Sequence, residues 1–390
     1  MGRMDRIYMD HNATTPVDPR VVEAMLEVMR ECAGNPSSLH WFGQRARAAV
    51  DDARGEVARL IGAAPSEVVF TSSGTEADNT ALRGVSASAR EPRRKVVYSA
   101  IEHHAVVNTA RALAEEGVPV EVARAGSDGV VDLDDLRARV DERTALVAVM
   151  LANNETGVIQ PVAEVVRVAR ERGAFVHCDA VQAAGKVPVD VRSLDVDLLA
   201  ISAHKFYGPQ GVGALYVRRG TRMKAWSRGG SQERGRRAGT ENVAGIVGLG
   251  RASSLARESL DSEARRLAAL RDELEARLLA IPGARRNGEG PRVGNTTNVS
   301  FAGVEAESLL MALDLAGVAV STGAACAAGA VEPSHVLRGM GLPVDRVQGS
   351  IRLSLGRGTT ETEVQRAAEA VAAAVERQRR TLEAARSARR

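Results

Sequence analysis

Cysteine is scarce in this chain of 390 residues: there are three, Cys32, Cys178 and Cys326, too few for a disulfide framework. The odd number favours a reducing compartment. The first residues, MGRMDRIYMDHNATT, contain no apolar core of a secretory signal, and no apolar stretch approaches the roughly 18 residues of a membrane span. We therefore expect a cytoplasmic protein with no membrane partner.

An excess of charge of one sign is also absent. The 52 Lys and Arg residues face 49 Asp and Glu residues, and the formal net charge of +3 is too small to predict direct nucleic-acid binding. Basic residues cluster at 377–390, where they are typical of a solvated helix end. Cys32 and Cys178 lie in no metal-ligand spacing, so we interpret both as packing residues and predict no metal site.

Aromatic residues make up only 3% of the chain, but apolar residues reach 44% and charged residues 26%, which is typical of a globular protein. Short apolar runs alternate with helical patterns such as 47–61, 106–116 and 162–172. This alternation predicts an α/β fold with a mainly parallel seven-stranded sheet and helices on both faces. The predicted strands are 68–70, 96–99, 118–122, 145–150, 174–178, 198–202 and 212–217.

The alternating pattern stops near residue 220, and the length of the chain predicts more than one domain. Residues 228–240 are rich in Gly and Arg and indicate a loop or linker, and 243–279 indicate a long helix interrupted once. We expect a large domain over 16–260. A smaller α+β domain is expected from 1–15 and 261–390, with two helices and strands at 297–301, 318–321 and 351–355.

Small hydroxyl residues and glycine follow the strand at 68–70, in the run Thr71 to Asn79. Backbone N–H groups at the start of a helix bind anions, so Gly74 and Thr75 lie where a phosphate would be held. The same residues are also typical of a simple helix N-cap.

Two further predicted strands end beside residues whose side chains could bind a cofactor or take part in catalysis. Asp179 closes the strand at 174–178, where it could hold a protonated pyridinium nitrogen or cap a helix. Lys205 follows the strand at 198–202, where it could be a surface residue or a desolvated amine that forms a Schiff base. The two residues together, with a phosphate site upstream, favour a cofactor site over the simpler interpretations.

Taken together, the motifs resemble the cysteine desulfurases of the NifS/IscS type, which are pyridoxal 5'-phosphate (PLP) enzymes of fold type I in the class V aminotransferase group. The resemblance runs from Tyr8 to about Thr360. It rests on DHNATTP (10–16), GNPSS (34–38), SGTE (73–76), EH (102–103), NNETG (153–157), HCDAVQ (177–182), SAHK (202–205), RGRRAGTEN (234–242) and the small-residue segment around Cys326.

The resemblance implies a cofactor role for a set of residues. Lys205 would bind PLP covalently, Asp179 would pair with the pyridine nitrogen, and Gln182 would hydrogen-bond the ring oxygen. His103 would stack on the ring and act as an acid/base, whereas His104, at a variable position, is predicted to have no such role. The implied phosphate ligands are Gly74, Thr75, Ser202, His204 and, from the partner subunit of a homodimer, Thr240.

The resemblance also implies the reaction. Asn154 and Arg352 would bind the substrate L-cysteine, with the Arg352 guanidinium taking its carboxylate as a planar fork. Cys326, in the segment 321–331, would accept the sulfur as a persulfide and pass it to an acceptor protein for iron–sulfur cluster assembly or thiolation, leaving L-alanine. A buried structural role for Cys326 is the alternative interpretation.

Two alternatives of function stay open from the sequence. A class V aminotransferase or a selenocysteine lyase would share the scaffold and most of the motifs. A non-catalytic sulfur-relay subunit would lack Lys205 or Asp179, and both residues are present.

Overall fold

A computed structural model of the chain describes residues 6–322 and 333–387. Its largest element is a sheet of seven strands in the order β2-β8-β7-β6-β5-β3-β4, which confirms the predicted strand number. The strands of the described residues are β1 (Ile7–Tyr8), β2 (Val68–Thr71), β3 (Lys95–Ser99), β4 (Val120–Ala123), β5 (Thr144–Ala148), β6 (Phe175–Asp179), β7 (Leu198–Ser202), β8 (Gly213–Val217), β9 (Ala284–Arg286), β10 (Thr296–Phe301), β11 (Val318–Ala319) and β12 (Ser350–Ser354).

The large sheet is mainly parallel, as its continuous apolar strands predict. Strands β3 to β7 pair in parallel, and only β8 is antiparallel to its two neighbours, β2 and β7. Because the antiparallel strand lies between β2 and β7, the carboxyl ends of β2, β6 and β7 lie at one edge of the sheet. That edge is where an open α/β sheet places its ligand.

Helices cover both faces of this sheet, which confirms the predicted fold class. One face packs on a core that includes Val57, Cys178 and Leu249, and the other on a core that includes Leu82, Val106 and Leu198. The helices are α1 (Pro19–Glu31), α2 (Trp41–Ile61), α3 (Gly74–Ser88), α4 (His104–Glu115), α5 (Leu133–Arg139), α6 (Val162–Glu171), α7 (Val191–Leu194), α8 (Val243–Leu279), α9 (Ala306–Leu315), α10 (His335–Gly339), α11 (Val344–Gln348) and α12 (Glu361–Ser387).

The prediction of one interruption in the long helix is wrong. Helix α8 runs for 37 residues without a break, because its first half packs on the core around Leu249 and its second half on a separate core around Leu274. The second core also contains the three-stranded sheet β12-β10-β9 and the short pair β1-β11. The division near residue 260, inside α8, stays a prediction.

The part of the chain after residue 282 contains four helices within the described residues, not the predicted two, because α10 and α11 are single turns with little apolar pattern. Its three predicted strands are present as β10, β11 and β12. No helix within residues 6–322 and 333–387 combines the length and the apolar character needed to cross a bilayer.

The Gly- and Arg-rich segment 228–240 is a loop, as predicted, with one 3-10 turn at Gln232–Gly235, and ion pairs of Glu233 and Arg237 anchor it. Glu233 is buried and accepts two hydrogen bonds of 2.8 Å from the Arg54 guanidinium of α2. It also accepts the backbone N–H of Phe70 in β2 at 2.9 Å. This anchor fixes the stretch that leads to Thr240.

Candidate active site

A cavity of about 360 Å³ opens at the edge of the sheet where β2, β6 and β7 end. The starts of α3 and α4 form part of its wall, so backbone N–H groups point toward it. Ten of the predicted site residues line it: Gly74, Thr75, His103, Asn154, Asp179, Gln182, Ser202, His204, Lys205 and Arg352. Thr240 is not among the lining residues, and Cys326 lies outside the described residues.

One end of the cavity has the donors of an anion site. The N–H groups in the first turn of a helix have no helical partners. In α3, Ser73 caps one of them by accepting the N–H of Glu76 at 3.1 Å, and the others can bind an anion. The Ser202 hydroxyl is buried and has no hydrogen-bond partner among residues 6–322 and 333–387. A Cβ on Gly74 would lie 2.6 Å from Val181 Cγ2, so the helix start needs glycine there. These donors fit a phosphate group.

Lys205 lies in the 3-10 turn that follows β7. Its Nζ donates to the backbone oxygens of Asn12 and Ala13, both at 2.7 Å, and the residue is only partly exposed. Burial and the nearby Arg352 lower the pKa of this amine to about 8. A minority of the amine, about a tenth at pH 7, is therefore neutral and nucleophilic, far more than for an ordinary lysine.

Asp179 is the last residue of β6 and is buried in the cavity wall. Burial raises the pKa of its carboxyl to about 6, although the Val181 N–H donates to Oδ1 at 2.8 Å and Lys205 lies nearby. A cationic ring nitrogen beside it would favour the ionised carboxylate. Cys178 points to the opposite face of the sheet, into the core, in agreement with its interpretation as a packing residue.

Arg352 lies in β12 and reaches the cavity from the second core. Its Nη2 donates to Asp10 Oδ1 at 2.6 Å and its Nη1 to the backbone oxygen of Asn154 at 2.9 Å. Within the part of the chain that the structure describes, its Nε is buried without a partner, as is the side-chain oxygen Oδ1 of Asn154. The guanidinium is held in place and still has donors for a carboxylate.

His103 caps α4, and its Nδ1 accepts the backbone N–H of Ala105 at 3.1 Å. In the neutral ring the hydrogen is therefore on Nε2. Burial, Lys205 and two neighbouring histidines lower the pKa of His103 to about 4. The ring is neutral at physiological pH and can donate a hydrogen bond from Nε2.

Several lining residues were not assigned a role from the sequence. His104, for which no role was predicted, lies in the cavity wall with its ring centroid 4.3 Å from that of His335. Asn12 lies in the DHNATTP motif, and long-range hydrogen bonds place it in the cavity wall. Asp78 also lines the cavity, but in the sequence it is one polar residue within the helical pattern of α3. Their positions depend on tertiary packing, which leaves no local signal.

The comparisons with known proteins agree on one family. The family model described as "Aminotransferase class-V" matches residues 7–367. A cysteine desulfurase of Nostoc sp. is 48% identical over 96% of this chain and 94% of its own length. This chain belongs to the cysteine desulfurases of the class-V aminotransferase family.

Solved structures support the same assignment. A NifS-like protein superposes with a TM-score of 0.89 at 40% identity, over 95% of this chain and 99% of its own. SspA, solved in complex with cysteine, has a TM-score of 0.80 at 33% identity, over 90% of this chain and 98% of its own. These likenesses confirm the predicted PLP fold type I for this cysteine desulfurase family member.

Enzymes of this family depend on PLP, and the cavity of this cysteine desulfurase homologue has a donor set that suits the cofactor. The start of α3 and the unpartnered Ser202 hydroxyl suit its phosphate, Asp179 suits its ring nitrogen, and Lys205 has the amine that its aldehyde needs. The chain is therefore a PLP-dependent enzyme.

Proposed function

We propose that the protein removes sulfur from L-cysteine, leaving L-alanine, and holds the sulfur as a persulfide on Cys326. In the overall step the C–S bond of cysteine breaks and an S–S bond forms on Cys326. Of the two thiol hydrogens, one passes to the alanine carbon and the other is on the persulfide. The observation that carries the proposal is the meeting of Lys205, Asp179 and the start of α3 in one cavity. The bound PLP supplies an electron sink for the cleavage.

Each side chain around the cavity has its own role in the proposed reaction. The Lys205 amine, with its pKa lowered to about 8 by burial and by Arg352, is suited to take the α-proton of the substrate. Arg352, held by Asp10, would bind the substrate carboxylate, and the amide of Asn154 would donate or accept beside it. His103, neutral and with hydrogen on Nε2, would move a proton near the substrate thiol.

The assignment of the sulfur-accepting thiol rests on the residues that flank it. Ser321 and His335, on either side of the segment that carries Cys326, line the cavity. Ser334 donates from Oγ to Glu155 Oε2 at 2.5 Å, and Glu155 lines the cavity as well. Both ends of the segment therefore leave from the cavity wall, which supports a role for Cys326 there.

The direct test is to supply L-cysteine and a reducing thiol to the PLP-loaded protein and to quantify L-alanine and sulfide. Equal amounts of both are expected. A class V aminotransferase would instead convert the cofactor to its amine form and give no sulfide, and a selenocysteine lyase would turn over only the selenium substrate. Either of those results, or no product at all, would contradict the proposal.

The proposal includes a homodimer in which Thr240 completes the phosphate site of the partner subunit. Thr240 is exposed and does not line the cavity of its own chain. Its neighbour Glu241 lies 3.6 Å from Arg47 of α2, so Thr240 lies near the first turns of α2. The chain at the start of α2 also carries exposed apolar side chains, namely Leu39, Trp41 and Phe42. A second copy of the chain would cover them.

The shared site is tested by mixing two inactive variants. In a heterodimer of Lys205→Ala and Thr240→Val subunits, one site would combine the intact Lys205 with the intact Thr240 of the other subunit. Activity should then return, toward about half of the wild-type value per dimer. If Thr240 served its own chain, both sites would stay impaired after subunit exchange had been verified.

The cellular compartment and the sulfur acceptor are also part of the proposal. Chemistry at Cys326 needs a free thiol, so a reducing cytoplasm suits the enzyme. The acceptor would be a protein with its own nucleophilic thiol, such as an iron–sulfur scaffold or a thiolation factor. Incubation of the persulfide form with a candidate acceptor, followed by intact mass analysis of both chains, would identify it.

A further inference from the structure

Lys186 lies beside the cofactor lysine, and the chemistry proposed above leaves it without a role. The chain contains only four lysines, and two of them, Lys186 and Lys205, bind the same residue, Asn12. Lys186 Nζ donates to Asn12 Oδ1 at 2.9 Å, whereas Lys205 Nζ donates to the backbone oxygen of Asn12 at 2.7 Å. The two amines are therefore linked through one asparagine.

The partners of Lys186 are unusual for a lysine inside a protein. Lys95, which is buried, pairs with the carboxylates of Glu121 and Asp141 at 3.2 and 3.0 Å. Lys186 donates instead to two amide oxygens, Asn12 Oδ1 at 2.9 Å and Gln182 Oε1 at 2.6 Å. Two neutral acceptors give little compensation for a charge, so this arrangement serves hydrogen bonding better than ion pairing.

These bonds fix which way the Gln182 amide points. A lysine amine in this position donates, so the atom of Gln182 that faces it must be the oxygen. The other end of the amide faces the backbone oxygen of Asn12, which can only accept, and Gln182 Nε2 lies 2.9 Å from it. Both partners demand the same orientation. Asn12 lines the cavity whereas Lys186 does not, so the N–H end of the amide is the one that faces a cavity residue.

The Asn12 amide is oriented in the same way. Its oxygen accepts from Lys186 and from Asn295 Nδ2, so its nitrogen faces the Asn154 backbone oxygen at 3.1 Å. That oxygen also accepts from Arg352. Lys186 therefore bonds directly to Gln182, the group proposed for the cofactor. Through Asn12 and the Asn154 backbone oxygen it is also connected to Arg352, the group proposed for the substrate.

We propose that Lys186 is a positioning residue that holds Gln182 with its N–H, and not its oxygen, toward the phenolic oxygen of PLP. This inference rests on the proposed function, because it needs PLP in the cavity. A donor to that oxygen stabilises its ionised form and lowers the pH at which the bound cofactor loses its proton. Without Lys186 the amide of Gln182 keeps only its contact with the Asn12 backbone oxygen, so it is held less firmly and its bond to the cofactor weakens.

The charges around Lys186 favour an effect through hydrogen bonds. Burial, Lys205 and Arg352 lower the pKa of Lys186 well below its usual range. His11 also faces it, and the Asp10 carboxylate is paired with Arg352. The Asp179 carboxylate acts on Lys205, whose pKa it raises. Both acceptors of the Lys186 amine are amide oxygens, so Lys186 acts on Gln182 and Asn12 through hydrogen bonds and not through ion pairs.

The test is a pH titration of the absorption spectrum of the bound cofactor in wild type, Lys186→Met, Gln182→Ala and the double variant. The transition should move upward by about one pH unit in Gln182→Ala, the size of one hydrogen bond to a charged group, and by a smaller amount in Lys186→Met, which keeps the Asn12 contact. It should move no further in the double variant than in Gln182→Ala. Lys224→Met, at an exposed lysine, is the matched control and should titrate like wild type.

Three results would overturn the inference: an unchanged transition in Lys186→Met, an unchanged transition in Gln182→Ala, or an equal shift from Lys186→Met with and without Gln182. Circular dichroism verifies folding, and Lys186→Leu, with the same expected result, replaces the Met variant if that variant does not fold. Failure of the proposed function is distinct, because the wild-type protein would then show no cofactor band or form no alanine.

Discussion

Asp78 Oδ1 lies 2.9 Å from His177 Nε2, and both side chains are buried, one on α3 and the other on β6. Burial lowers the pKa of His177 to about 3 and raises the pKa of Asp78 well above its usual value. Burial therefore disfavours the charged form of each side chain, and one hydrogen bond holds the pair together. It joins the helix of the anion site to the strand that carries Asp179.

We expect Asp78→Leu to lower the free energy of unfolding by about 1–3 kcal/mol, because it leaves His177 Nε2 buried without a partner. His177 Nδ1 already lacks a partner among the described residues. Asp78→Asn keeps a hydrogen-bonding group and should cost less. Urea unfolding measures both, with Asp134→Leu at an exposed position as the control. Equal losses in the Leu and Asn variants would show that the bond contributes nothing.

Glu233→Ala should destabilise the protein by about 3–5 kcal/mol, because it leaves the buried Arg54 guanidinium without its carboxylate. Glu273→Ala removes a partly exposed partner of Arg277 and should cost less than about 1 kcal/mol. Urea unfolding of the two variants gives the comparison. Similar losses would mean that burial of the Arg54 pair has no energetic consequence.

Glu275 should make stability depend on pH in the acid range. Burial alone would raise its pKa, but hydrogen bonds from Arg292 and Thr297 and the charge of Arg292 lower it to about 2. A lowered pKa stabilises the fold above the unfolded value near 4.5 and is lost as pH falls toward 2. The advantage of wild type over Glu275→Gln should shrink by about 2 kcal/mol between about pH 6 and pH 3. A constant difference would contradict the shift.

Lys205→Ala should abolish alanine formation and the covalent link to PLP, since the amine that faces the cavity is removed. Borohydride reduction followed by peptide mass analysis detects the link. Lys224→Ala, at an exposed lysine, should keep both the link and the activity. A reducible cofactor link that survives in Lys205→Ala would assign the attachment to another lysine.

Cys326→Ser should still bind PLP and change its absorption spectrum on addition of L-cysteine, but it should release no alanine. A serine alkoxide is essentially absent at neutral pH, whereas a thiolate is populated to a few per cent. Wild type treated with cysteine should gain the mass of one sulfur atom on the peptide containing Cys326. Cys32→Ser is the control and should behave like wild type. Extra sulfur on Cys32 or Cys178 would contradict the assignment.

The sequence predicts the large sheet well because its strands are continuous apolar runs between helical patterns. The same runs predict Lys205 and Asp179 as site residues, since the end of a buried parallel strand has few uses for a charged side chain. The uninterrupted course of α8 could not be predicted, because the packing of Leu249 and Leu274 on different cores decides it.

The role of Lys186 could not be predicted for a related reason. Its partner Asn12 is 174 residues away, and the four-residue spacing to Gln182 carries no meaning until the turn after β6 is folded. Asp78 has the appearance of an ordinary polar helix residue until His177 is placed beside it. Hydrogen bonds across the fold leave no periodic signal along the chain.

Helix α8 has a mechanical consequence. At 1.5 Å per residue it is a rod of about 55 Å, and it supplies apolar side chains to both cores. Unfolding of either end of α8 removes contacts from the core on which that end packs. It also shortens the continuous helix that packs on the other core. We therefore expect heat to melt the two cores in one cooperative transition, with no half-folded species that keeps the anion site and loses Arg352.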